Sequence, residues 1–148
     1  MAIMQLTDNI KNCNGCAACQ MACKTRAVKM IVNEEGRKVP FIDEKACNKC
    51  NACRMYCPLY MPVELPEFKD WYEFDEKYME RDMAQVYRET SRSVKNGQFT
   101  EFVGTLCQIA ALKSLMGDRL RPNLKLYPLA CTPETQAAHG CKDCVFYK

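Results

Sequence analysis

Apolar and polar positions follow different periods along this chain of 148 residues. Two β-prone runs, at residues 28–32 and 38–42, flank the turn signal "NEEG" and predict a β-hairpin. On either side, the segments "QMACKTR" and "RMYCPLY" each predict a short helix, which includes Cys23 in the first and Cys57 in the second. These elements together predict an antiparallel α+β unit that ends near residue 63.

The apolar pattern after this unit has a helical period. Residues 66–95 predict one helix, and Asn96–Gly97 is a stop signal for it. The apolar positions of this helix are Phe68, Trp71, Tyr72, Met79, Met83, Val86 and Tyr87. Residues 100–116 predict a second helix, which ends before Gly117 and Pro122. Its apolar face contains Phe102, Val103, Leu106, Ile109, Ala110 and Leu115.

The chain is therefore predicted to have two parts. Residues 1–63 form the α+β unit, and residues 64–148 form a helical extension whose last segment, 118–148, is irregular. The aromatic residues of the extension are interpreted as packing surface, although a cofactor-binding role is the alternative. We expect the fold class to be α+β followed by helices.

Cysteines form a repeated pattern in the first part. The run "CNGCAACQMAC" at residues 13–23 recurs as "CNKCNACRMYC" 34 residues later, with seven of eleven positions identical. Such a repeat indicates a fold with internal pseudo-symmetry. Each run has the spacing C-x2-C-x2-C-x3-C, whereas structural zinc sites take their cysteines as separated pairs. Three thiolates at three-residue steps suit a cubane of four irons and four sulfides, and Gly15, Ala17 and Ala18 allow the chain to approach it closely.

The duplicated spacing resembles that of bacterial-type ferredoxins, which carry two 4Fe–4S clusters, over about residues 1–63. The resemblance implies two sets of ligands, in which the fourth cysteine of each run crosses to the other cluster. The first set contains Cys13, Cys16, Cys19 and Cys57, and the second set contains Cys47, Cys50, Cys53 and Cys23. A zinc site or disulfides are the alternatives for these eight residues.

One position departs from the family pattern. Ferredoxins of this type commonly have proline after the fourth cysteine of each run, as in Cys57–Pro58, but Lys24 follows Cys23 here. The proline helps to shield its cluster from water. A lysine at this position is expected to raise the reduction potential of the nearby cluster by its positive charge.

Four cysteines remain outside the repeat: Cys107, Cys131, Cys141 and Cys144. Their number suits a third 4Fe–4S cluster, while a zinc site and inert thiols remain as alternatives. Cys107 falls on the predicted apolar helix face, which also fits a buried core thiol. His139, the only histidine, lies beside the C-x2-C pair and is a further candidate ligand.

Charge and composition restrict the function classes. The net charge of +3 divides into +4 for residues 1–63 and −1 for the rest, and no basic stripe typical of nucleic-acid binding occurs. No apolar run is long enough for a transmembrane segment, and the first residues lack the pattern of a signal peptide. We therefore expect a soluble cytoplasmic protein, in which cysteines serve as ligands more often than as disulfides.

Three functions from different classes follow. The first is an electron-transfer subunit that relays single electrons between the redox centres of an oxidoreductase complex, with a catalytic or flavin subunit, or both, as its partner. The long aromatic-rich extension favours it because such surfaces are typical of permanent interfaces, and the acidic segment 64–82 is a candidate docking face. The second is an autonomous soluble ferredoxin with an extension. The third is a thiol-redox enzyme that uses the Cys141/Cys144 pair.

Overall fold

The computed structural model describes residues 17–32, 38–48, 52–57, 64–78, 80–116 and 122–134. The α-helices in these ranges are α1 (Ala18–Ala22), α2 (Ala52–Met55), α3 (Met83–Lys95) and α4 (Leu106–Met116). The strands are β1 (Val28–Val32), β2 (Lys38–Ile42), β3 (Tyr72–Glu73), β4 (Thr100–Gly104) and β5 (Leu124–Ala130). Helices and two small sheets alternate along the chain, which confirms the predicted mixture of α and β structure.

The predicted hairpin is confirmed with the predicted strand bounds. Strands β1 and β2 pair antiparallel, with a register that runs from Val28↔Ile42 to Val32↔Lys38. Val28 and Ile42 are buried at the open end of the hairpin, next to Ala27. Because side chains alternate between the two faces of a strand, the buried pair directs one face of the hairpin towards the neighbouring cysteines.

The second sheet is parallel and has the order β3-β5-β4. The register of β4 and β5 runs from Thr100↔Leu124 to Gly104↔Pro128, and β3 pairs with the last residues of β5. Helix α4 is the crossover between β4 and β5, because parallel neighbours cannot be joined by a tight turn. The carboxyl ends of the three strands therefore lie at the same edge of the sheet.

This sheet shows that the predicted helical extension is wrong in three places. Among the described residues of 66–95, the α-helix runs from Met83 to Lys95 after a short 3-10 turn at Glu76–Tyr78, and Trp71 and Tyr72 are exposed. Residues 100–104 are strand β4, so the second helix begins at Leu106. The segment predicted to be irregular contains β5.

The short helices next to the cysteine runs exist but begin earlier than predicted. Helix α1 contains Cys19, and Cys23 is its C-terminal cap residue. Helix α2 contains Cys53 and ends before Cys57. The last cysteine of each run thus follows its helix, where the side chain is not restricted to a helical face.

Local hydrogen bonds explain where the two longer helices begin and end. The Asp82 side chain caps α3 by accepting from the Gln85 amide, and the predicted stop is confirmed by Gly97, which has a φ of 79°. Helix α4 begins with a reciprocal capping box. Its Thr105 amide donates to Gln108 Oε1 at 3.1 Å, and the Gln108 amide donates to Thr105 Oγ1 at 3.4 Å.

One hydrophobic core joins α1 to the parallel-sheet region. Ala17 and Ala18 pack in the same cluster as residues of α3, β4 and α4, with Met21 and Met30 at its border. The buried members from the later elements are Met83, Tyr87, Val94, Phe102, Ile109, Ala111, Leu112 and Met116. The core therefore includes residues on both sides of the boundary near residue 63, which itself stays a prediction. Within the described ranges, no helix is long and apolar enough to cross a membrane.

Replacing Leu112 by alanine is expected to lower the free energy of unfolding by about 2–5 kcal/mol. Leu112 has an exposed fraction of 0 %, so truncation leaves a cavity at the contact of α4 with the rest of the core. Urea unfolding followed by circular dichroism measures the loss. Leu115→Ala on the same helix is the control, and its loss should be smaller because Leu115 is only partly buried. Equal losses would contradict this description of the core.

Candidate functional site

Seven of the predicted ligand residues lie within the described ranges: Cys19, Cys23, Cys47, Cys53, Cys57, Cys107 and Cys131. The others, together with the candidate ligand His139, lie outside them: Cys13, Cys16, Cys50, Cys141 and Cys144. The described residues include three members of the second implied set, two of the first and two of the third.

Four of the repeat cysteines meet around one small apolar group. Cys19 and Cys53 are buried with Ala27, Val28 and Ile42, and Cys23 and Cys47 pack against the same residues. We call this group the cysteine-lined core. It includes all three described cysteines of the second implied ligand set, Cys23, Cys47 and Cys53, although Cys23 is separated from the other two by the whole hairpin. Cys57 is half-buried and is not among its members.

The loop after α1 places Cys23 in a turn that closes on its own sulfur. The Ala27 amide donates to Cys23 Sγ at 3.2 Å, and Thr25 Oγ1 lies 3.4 Å from the same sulfur. Arg26 has a φ of 59°, which turns the chain so that the Ala27 amide reaches the sulfur, and the Arg26 amide donates to the Cys23 carbonyl at 3.4 Å. Such convergent donors stabilise negative charge on sulfur.

The pKa of Cys23 reflects two opposing effects. Partial burial raises the pKa of the thiol, but hydrogen bonds from the Thr25 hydroxyl and from the backbone at Ala27, Thr25 and Val28 lower it further than burial raises it. The net pKa therefore lies below the usual value for cysteine. A thiolate is the form that binds metal, so this loop favours the ligand form of the residue.

A second loop places Cys47. The Asp43 side chain accepts a hydrogen bond from the Lys45 amide at 3.0 Å. The Asp43 carbonyl accepts hydrogen bonds from the amides of Ala46 and Cys47 at 3.1 and 3.0 Å. The Asp43 amide in turn donates to the Ala27 carbonyl at 2.7 Å. The loops that carry Cys23 and Cys47 are thus joined by a backbone hydrogen bond, which keeps the two cysteines on the same side of the hairpin.

The chemistry of this group fits an iron–sulfur cluster. Thiolates are soft ligands, the surrounding Ala27, Val28 and Ile42 side chains exclude water, and at least one backbone amide points at a sulfur. In the part of the chain that is described, no three Cys, His, Asp or Glu side chains are grouped as they are around a single ion. A four-iron cluster is wider than one ion and separates its thiolates further, and the fourth ligand of the second set, Cys50, is outside the described residues.

The parallel sheet brings two further cysteines to one edge. Cys107 lies in the first turn of α4, directly after β4, and Cys131 follows β5, the neighbouring strand. Cys107 is buried, and its sulfur lies 2.9 Å from Thr105 Oγ1. This position fits both a cluster ligand and the core thiol that the sequence also allows.

A polar group at this edge was not predicted from the sequence. Arg81 donates to the carbonyls of Tyr78 and Val103, at 3.0 and 2.9 Å, and to Gln108 Oε1 at 3.2 Å. Its guanidinium also lies over the rings of Tyr78 and Phe102. Burial lowers the pKa of Arg81, and the electrostatic effect of Tyr87 and Tyr78 raises it by a smaller amount. These contacts fix the first turn of α4, and the pattern "TLCQ" is the sequence signal that indicates this turn.

The far end of α4 contacts the segment around Cys57. Ser114 Oγ donates to the Tyr56 carbonyl at 2.9 Å, and Lys113 Nζ donates to the Glu64 carbonyl. Cys107 and Ser114 are seven residues apart, which corresponds to about 10 Å along a helix. One helix therefore connects the sheet edge with the neighbourhood of Cys57.

No protein-family model matches the chain, and the comparisons with curated proteins and with solved structures find no similar protein. The interpretation of the site accordingly depends on the residues themselves. The strongest feature is the spacing of the eight repeat cysteines together with the grouping of Cys19, Cys23, Cys47 and Cys53.

Proposed function

We propose that this protein is an iron–sulfur electron-transfer subunit that relays single electrons between the redox centres of an oxidoreductase complex. The observation that carries the proposal is the cysteine-lined core, where Cys23 from the first run meets Cys47 and Cys53 from the second. A ligand set that crosses between the two runs needs this meeting.

The residues of the core have distinct roles in this function. The thiolates of Cys47, Cys53 and Cys23, with Cys50, hold one cluster, and Cys13, Cys16, Cys19 and Cys57 hold the other. A bound 4Fe–4S cluster accepts and releases one electron at a time. The Ala27 amide stabilises negative charge at Cys23, while Val28 and Ile42 keep water away from the sulfurs.

A permanent partner fits the surface better than free diffusion does. Met55, in the helix that carries Cys53, has an exposed fraction of 61 %, and Val32, at the turn end of the hairpin, has one of 65 %; Ile31 and Phe41 on the hairpin are also exposed. Exposed apolar side chains of this size are typical of protein interfaces. Each oxidised cluster with its four thiolates carries a charge of about −2, so two clusters together offset the +4 of residues 1–63. The loaded unit is then nearly neutral and lacks the net charge that would steer a free carrier to its partner. The expected partner is a catalytic or flavin subunit.

We also propose a third cluster at the carboxyl edge of the parallel sheet, held by Cys107, Cys131, Cys141 and Cys144. Its support is that β5 returns beside β4, so that Cys107 and Cys131 follow neighbouring strands. Helix α4 leads from this edge to the segment that holds Cys57, over about 10 Å. A centre at the edge would thus extend the electron path away from the cysteine-lined core.

Protein isolated without oxygen from its native source tests the central proposal. We expect at least about eight irons and eight sulfides per chain, because two clusters contain four of each. We also expect a larger redox subunit to accompany the chain through purification at high salt. Zinc without inorganic sulfide would contradict the clusters, whereas a loaded chain that elutes alone would favour the autonomous ferredoxin.

A further inference from the structure

The sulfur of Cys23 has a side-chain neighbour in addition to the backbone. Thr25 Oγ1 lies 3.4 Å from Cys23 Sγ, two residues along the chain. In the thiol form either group can donate this hydrogen bond. A sulfur bound to iron carries no proton, so in the loaded protein the hydroxyl of Thr25 is the donor and the sulfur is the acceptor.

The other half of the repeat lacks this hydroxyl. At the repeat offset of 34 residues, the position of Thr25 is taken by Leu59 and the position of Lys24 is taken by Pro58. Leucine cannot donate a hydrogen bond, and proline carries neither a charge nor a backbone N–H. The two fourth cysteines, Cys23 and Cys57, are therefore followed by groups of different chemistry within an otherwise repeated unit.

We propose that Thr25 raises the reduction potential of the cluster bound through Cys23, so that an electron entering the pair of clusters resides there in preference to the cluster bound through Cys57. The inference rests on the proposed function. Reduction adds negative charge to the cluster and its sulfurs, and a hydrogen bond to a sulfur stabilises that charge. Hydrogen bonds with one charged partner are roughly twice as strong as neutral ones, so one hydroxyl has a measurable effect.

The test is Thr25→Val in the full chain, because valine has nearly the shape of threonine without its hydroxyl. Potentiometric titration followed by electron paramagnetic resonance gives the potential of each cluster. At a fixed solution potential we expect the reduced-to-oxidised ratio of one cluster to fall about tenfold, which is about 59 mV for a one-electron couple. The other cluster should not change. The affected cluster should be the one that a Cys23→Ser variant loses.

Two variants serve as controls. Thr25→Ser keeps the hydroxyl and should keep the wild-type potential. Thr100→Val, at the first residue of β4, removes a hydroxyl that donates to the Gln98 carbonyl and should shift neither cluster. Should the valine variant bind less iron, Thr25→Ala is measured in its place, with the same expected fall. Unchanged potentials in chains that contain full iron overturn the role of Thr25, whereas a wild-type chain without iron and sulfide overturns the proposed function instead.

Discussion

Replacing Cys23 with serine is expected to remove one of the two clusters, about four irons per chain, and to leave the other in place. Serine offers a hard oxygen that iron–sulfur clusters accept poorly in place of thiolate. In the structure Cys23 and Cys47 pack against the same buried group as Cys53, and Cys57 is not a member of that group. Iron and sulfide analysis of anaerobically reconstituted protein measures the loss.

Double variants decide which cysteines share a cluster. Cys23→Ser combined with Cys53→Ser should lose no more iron than either change alone, because both residues hold the same cluster. Cys23→Ser combined with Cys19→Ser should lose nearly all iron, because each substitution removes a different cluster. Residues that act as one unit give non-additive losses. If the second pair loses no more than its single variants, Cys23 and Cys19 share a cluster and the crossing of ligands is disproved.

Replacing Cys131 with serine is the second change with a large expected effect. A third cluster would bring the iron content to about twelve per chain, and its loss would reduce that content by about a third. Cys107→Ser should give the same loss, because the two residues lie at the same sheet edge. Combining the two variants should add nothing further.

The matched control for this edge is Thr132→Val, which alters the residue after Cys131 and leaves all thiols in place. It should keep the wild-type iron content. Eight irons in the wild type, unchanged by Cys131→Ser, would rule out the third cluster and identify Cys107 as a core thiol. Zinc measured in the same samples separates an iron site from a zinc site at these residues.

Where local signals agree with one another, the hairpin and the end of α3 were predicted correctly. The hairpin strands have matching length, β-prone residues and a turn sequence between them, and their predicted bounds are those observed. The stop at Gly97 follows from its positive φ, which side chains with a Cβ adopt rarely. In both places neighbouring residues alone determine the conformation.

The error at residues 100–116 has a specific cause. Phe102 and Leu106 are four residues apart, and this spacing continues the apolar face of α4 backwards into β4. The capping pattern Thr105-x-x-Gln108 indicates the true start of the helix, and the run "TEFVG" before it is β-prone. Periodicity alone does not distinguish a short buried strand from one more turn of helix.

Strand β5 was missed because it contains a proline. Pro128 argues against a central strand, since it has no N–H for the ladder. Strand β3 pairs with Leu129 and Ala130, the two residues after Pro128. Among the described strands, Pro128 therefore has a partner only in β4, where it lies opposite Gly104. The parallel partner β4 lies across a whole helix in sequence, and such a distant pairing leaves no local signal.

The spacing of the cysteines identified the candidate ligands, but not the groups around them. Thr25 and Asp43 act through turns whose shape depends on Arg26 in the left-handed conformation and on the Asp43–Ala27 hydrogen bond. Arg81 contacts Gln108, which is distant in sequence. Each of these roles depends on how separate loops meet, and a residue pattern within one segment does not contain that information.

The position of α1 has a consequence for how the protein is made. Ala17, Ala18 and Met21 pack against α3 and α4, which are translated much later. At 5–20 residues per second, a ribosome takes about 5 to 20 seconds to pass from α1 to the end of α4. During that interval Ala17, Ala18 and Met21 lack their partners in α3 and α4, and only the cysteine-lined core, which includes Cys19, is complete enough to hold this helix. The proposed clusters would therefore be loaded either onto this partly packed segment or after α3 and α4 have completed the core.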